Sequence, residues 1–118
     1  MGNNHTITAT VCVFSGRRNP QWTIPAAAYH QLLLAVEALP ATAPQEQEGL
    51  LGYSGIIITG GEKKIFAFNG TITVTSESGA KGYADKTHTV ENSLLHTCPP
   101  ATLEEIKGLL PGWLKGLP

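Results

Sequence analysis

The stretch from Lys64 to Ser76 constrains the fold most, because Phe66, Phe68, Ile72 and Val74 alternate there with Ala67, Asn69, Thr71, Thr73 and Thr75. A period of two over that length excludes a helix and calls for a strand with one buried and one wet face. Gly70 falls on the apolar face and signals a bulge or bend. Just upstream, Ile56-Ile57-Ile58 is apolar on both faces, so the strand Tyr53 to Thr59 is expected to be central in a sheet, with Gly60-Gly61-Glu62 turning the chain between the two.

Around this pair the periodicity changes twice. Residues 7–14 form a strand with Ile7, Ala9, Val11 and Val13 on one face. From Ala26 to Leu39 the apolar positions Tyr29, Leu32, Leu33, Val36 and Leu39 recur at helical spacing, Thr23 is available as a cap, and Pro40 stops the helix. Residues 40–49 have no period and read as a surface connection. After a short extended piece at Tyr83 to Lys86, Thr87 or Thr89 caps a second helix with Val90, Leu94 and Leu95 buried. A third follows Pro99-Pro100, where Thr102 and Glu105 match a capping box.

The expected fold is α+β: a small, mostly antiparallel sheet of three to four strands with three helices packed on one face. The first strand is expected to enter the sheet through a right-handed crossover made by the first helix. Phe66, Phe68, Ile72 and Val74 should share one core with Leu32, Val36 and Leu94. The 118 residues, 42% hydrophobic, are too few for two cores, so a single domain spanning 1–118 is expected.

Eight basic and nine acidic side chains give a net charge of −1, which argues against nucleic acid or an anionic membrane as partner. No window is apolar enough for a membrane span and the start has no signal core, so a soluble cytoplasmic protein is expected. Cys12 and Cys98 lack zinc-site spacing and read as packed thiols; the four histidines show no ligand spacing, so no metal is expected. No nucleophile elbow, phosphate loop or dinucleotide fingerprint occurs, and no cofactor is expected. Trp113, Leu114 and Leu117 follow a helix stop and must bury somewhere, which favours a homodimer.

The most unusual segment, Phe14-Ser15-Gly16-Arg17-Arg18-Asn19-Pro20-Gln21-Trp22, holds both arginines of the chain and one of its two tryptophans. Adjacent guanidiniums offer planar forks for a carboxylate or phosphate, and loops between a strand and a helix are common places for function. Ser15, Arg17, Asn19 and Trp22 are therefore expected, together with Tyr53 and Asp85, to line one concave patch binding a small polar or acidic molecule. Asp85, the only aspartate, could instead simply pair with Arg17 and pin two loops. Two other classes compete: a small cofactor-free lyase or isomerase, with Asp85 or a histidine as acid/base, Arg17 as anion stabiliser and Tyr53 alongside, and a peptidase inhibitor presenting Arg17-Arg18 as bait.

The same segment resembles a motif of small uncharacterised proteins of about this length, in which Phe-Ser-Gly-Arg-x-Asn-Pro-x-Trp follows the first strand and Gly-Tyr-x-Gly opens a later one. Here these are Phe14 to Trp22 and Gly52-Tyr53-Ser54-Gly55, with a looser third match at Tyr83-Ala84-Asp85, Val90-Glu91 and Leu94-Leu95. Ser54 stands where an arginine is expected. The resemblance implies a shared fold and a shared polar cluster, and no activity.

Overall fold

The central alternating stretch is two strands, not one. In the computed structural model, which describes residues 6–14, 18–45 and 53–110, β5 (Lys64–Phe68) and β6 (Thr71–Ser76) are joined by Asn69 and Gly70. Both turn residues have positive φ, 47° and 90°, the two-residue hairpin geometry for which Asn-Gly is the favoured sequence. Phe66 therefore lies opposite Thr73, while Ile65 and Ala67 lie opposite Val74 and Ile72. A two-residue turn puts even-numbered positions of one strand beside odd-numbered positions of the next, so Phe66 leaves the face that Ile72 and Val74 occupy. The expectation that all these residues share one face is thereby corrected.

The expectation of three to four strands is overturned as well. One seven-stranded antiparallel sheet runs in the order β2-β1-β4-β5-β6-β7-β3. The remaining strands are β1 (Thr8–Val11), β2 (Gln21–Thr23), β3 (Ala41–Thr42), β4 (Ile56–Thr59) and β7 (Gly79–Ala84). β2 has one buried residue, Trp22, and β3 has none, so neither carries a hydrophobic alternation that could announce it. β7, with two glycines in six residues, has weak intrinsic β-propensity and owes its form to pairing along the whole of β6. β1 does not enter through a crossover, since it pairs antiparallel to both its neighbours; α1 instead carries the chain from β2 to β3 at the opposite edge of the sheet.

Three helices, α1 (Ala26–Glu37), α2 (Thr89–His96) and α3 (Pro100–Ile106), contribute to one core together with a single sheet face. Two rungs of that face run Trp22-Ala9-Ile58-Ile65-Val74 and Val11-Ile56-Ala67-Ile72. Tyr29 and Val36 of α1, Val90, Leu94 and Leu95 of α2, and Ile106 of α3 close over them. Leu32 and Phe68 only flank this core, and Phe66, though buried, lies outside it.

Tyr29 ties α1 to the β4–β5 turn: its hydroxyl donates to the Lys63 carbonyl at 3.0 Å and accepts from the Lys63 N–H at 2.9 Å. The capping residues differ from expectation. α1 starts at Pro25 with no side-chain cap, and α3 starts at Pro99, which leaves Thr102 and Glu105 inside the helix. Ser15, Arg17, Trp113, Leu114 and Leu117 lie outside the described residues. No helix among the described residues is long and apolar enough to cross a membrane.

Candidate functional site

Three of the singled-out residues meet on α2, each with its polar atoms turned inward. Asp85 is 1% exposed, and its carboxylate accepts from the Val90 N–H at 3.1 Å and from the Glu91 N–H at 3.1 Å. It thus takes the capping role expected of Thr87 or Thr89, whose hydroxyls bond to each other at 2.6 Å. A carboxylate at a helix N-terminus satisfies orphan donors and complements the dipole there. The chain reaches this geometry through His88, which has a positive φ of 59° and whose N–H donates to the Asp85 carbonyl.

Tyr53, in the segment leading into β4, donates its hydroxyl to Glu91 Oε2. Glu91 has no exposed surface, and its other oxygen, Oε1, has no hydrogen-bond partner among the described residues. Burial, reinforced by the neighbouring Glu91 carboxylate, holds the Tyr53 phenol well above its ordinary ionisation range. Glu91 stood in the loose motif match but was not counted among the site residues, although a further signal was present. It lies three and four residues before Leu94 and Leu95, within the stripe that α2 buries.

Trp22 reaches the other end of α2. Its indole N–H donates to Thr97 Oγ1 at 2.6 Å, and that hydroxyl donates to the Leu94 carbonyl at 2.6 Å. Seven residues of helix, or about 10 Å, separate Val90 from Thr97. Trp22 and Asp85 therefore brace opposite ends of one helix.

Asn19 braces the loop before β2. Its side-chain oxygen accepts from the Val13 and Phe14 N–H groups at 3.0 and 2.8 Å, and the Pro20 carbonyl accepts from the Val11 N–H at 3.1 Å. Two short segments are thereby held in register beyond the end of β1. Between this loop and α3 lies an open hollow of ≈ 610 Å³ lined by Arg18, Asn19, Pro20, Gln21, Thr102 and Glu105. The Arg18 side chain is solvent-facing, and among the described residues its guanidinium has no hydrogen-bond or ion-pair partner. Arg18 and Gln21 lie within the loop from Arg17 to Trp22 that the sequence singled out, whereas Thr102 and Glu105 do not, and only the fold shows that α3 returns to this loop.

Cys12 and Cys98 are both free and buried, and burial pushes the Cys98 thiol up to about 11. Among the described residues no group of three or more histidines, cysteines or carboxylates could hold a metal ion. No protein-family model, curated protein or solved structure matches the chain.

Proposed function

We propose that the chain is a small binding protein whose loop at 18–21, facing α3, holds a small polar or acidic ligand. The observation that carries this reading is the braced hollow itself. Asn19 spends its side chain on fixing the loop, while the Arg18 guanidinium, without a partner among the described residues, stays at the hollow's wall with donors still to give. A guanidinium fork matches a carboxylate or phosphate, and Gln21 and Thr102 add polar groups for the rest of a small ligand. Trp22, Tyr53 and Asp85 enter this proposal as the frame: they lock α2, and through the core the position of the loop.

Binding is preferred over acid/base turnover because the Asp85 carboxylate is buried and committed to the start of α2. On the same reading the two buried free thiols suit a reducing, cytoplasmic setting. Amide NMR spectra of the full chain, recorded during titration with inorganic phosphate and with citrate, test the proposal. Saturable shifts at Arg18, Gln21 and Thr102 with at least one of the two, weakened in Arg18→Ala, are expected. Spectra unmoved at these positions by both anions, or moved identically in Arg18→Ala, would overturn it.

A further inference from the structure

α1 lacks the polar side that a surface helix normally turns to water; a helix apolar all round is normally covered on both sides. Of its residues only Glu37 carries a formal charge, with His30 neutral, and Lys63 engages that carboxylate at 3.1 Å. Tyr29 and Val36 face the core, whereas Ala27, Gln31, Leu34, Ala35 and the capping Ala38 are exposed, Leu34 over 69% of its surface.

These exposed residues form one seam. Positions 27, 31, 34 and 38 are spaced four, three and four apart, the repeat that two packed helices share along their contact. The spacing is also symmetric about its middle, so a second copy of α1 laid antiparallel sets Ala27 against the partner's Ala38 and Leu34 against the partner's Gln31. Alanines at both ends allow the axes to approach to about 8 Å, the close limit of helix packing. Gln31 borders a hollow of ≈ 310 Å³ between α1 and α2, walled by Ala28, Leu32 and Ala35 on one side and by Val90, Ser93 and Leu94 on the other. Leu34 of one copy thus meets the mouth of the other's hollow.

The charges fit the same occupant. Across a twofold axis each group meets its own copy, so a charge there repels itself; among the described residues no charged side chain lines the hollow. α1 also has no side-chain cap, no acidic residue in its first turn and no basic residue in its last, which leaves both ends of its dipole uncompensated within the helix. Antiparallel pairing lays the positive start of each helix beside the negative end of the other. We propose that the α1–α2 face is a self-association surface, covered by a second copy of this chain with the two α1 helices antiparallel.

Sedimentation equilibrium of the full chain tests this, over a series reaching roughly 1 mM, because a contact of this size gives a weak dimer. A reversible monomer–dimer equilibrium is expected. Leu34→Glu, at a position the monomer leaves exposed, should keep the far-UV circular dichroism and weaken the dimer by roughly a hundredfold or more, through lost burial and two acids meeting near the axis. Adding Gln31→Lys to Leu34→Glu should restore association, since the antiparallel register sets each introduced acid against an introduced base, and the rescue should fade in high salt. A monomer at every concentration would overturn the proposal and leave this face to a different partner. A dimer unchanged in Leu34→Glu, or lost instead in Leu114→Glu, would overturn it by placing the contact elsewhere. Failure of Gln31→Lys to rescue would overturn the antiparallel register.

Discussion

At the scale of single residues, the polar side chains that stand out in this sequence prove to hold the frame. Asp85 was open to two readings, an ion pair with Arg17 or a carboxylate facing a ligand. Its two oxygens instead receive backbone donors from the first turn of α2. Asp85→Ala should cost about 1–2 kcal/mol in urea denaturation, with Asp85→Asn recovering part of it, since an amide oxygen still accepts there. Unchanged stability in the alanine variant would remove the capping role. Tyr53→Phe deletes the hydroxyl that meets the buried Glu91 carboxylate, and a loss of about 1.5–3 kcal/mol is expected by the same measurement. Cys98 sets a pH dependence. Its folded-state value of about 11 lies above the ordinary 9.0, so the unfolded chain releases this proton first. Its contribution to stability is complete below about pH 9 and fades as the pH rises toward 11. Alkylation of Cys98 by iodoacetamide in the folded protein should accordingly be slow at pH 8 and accelerate steeply above pH 10. A rate at pH 8 equal to that of the urea-unfolded chain would contradict this.

At the scale of elements, the decisive feature is the Asn69-Gly70 turn. Read as a bend in one long strand, it puts Phe66 and Ile72 on the same face; as a two-residue hairpin it puts them on opposite faces. The signal was in the sequence, because Asn-Gly between two alternating runs is a strong hairpin marker. It was masked because the alternation of large apolar residues continues in step across the turn. An added Cβ at Gly70 would have room, with His88 Nε2 and the Asp85 carbonyl at 3.6 and 3.7 Å, so conformation alone penalises a substitution. Gly70→Ala should therefore destabilise by about 1–2 kcal/mol, the cost of a positive φ for a residue with a Cβ, measured as a shift in the urea midpoint at constant slope. A gain in stability would mean that the turn does not have this geometry. The edge strands β2 and β3 were not legible, and of β7 only its end at Tyr83 and Ala84 was, because short or glycine-containing segments carry no apolar period and become strands only by meeting a partner.

At the scale of the whole molecule, one core ties the β2 edge of the sheet to the helices, and main-chain pairing holds the β3 edge. Trp22, on the edge strand β2, is hydrogen-bonded to Thr97 beyond the end of α2, while β3 at the other edge pairs with β7 across some forty residues of chain. Urea unfolding followed by far-UV circular dichroism and by Trp22 fluorescence, in a Trp113→Phe background, should show a single coincident transition. Separate midpoints would mean that β2 opens independently of the core. The sequence by itself determined the mixed α+β class, the inward faces of β1, α1 and α2, and the residue types gathered in the loop before Trp22. Each of those follows from local periodicity or local composition, which a short window contains. Only the tertiary structure decided the seven-stranded order, the parity of the central hairpin and the fate of Asp85. It alone also placed α3 beside Arg18. The physical reason is that a backbone hydrogen bond or a buried carboxylate is satisfied by whichever partner the packed chain delivers, and here that partner is often tens of residues away.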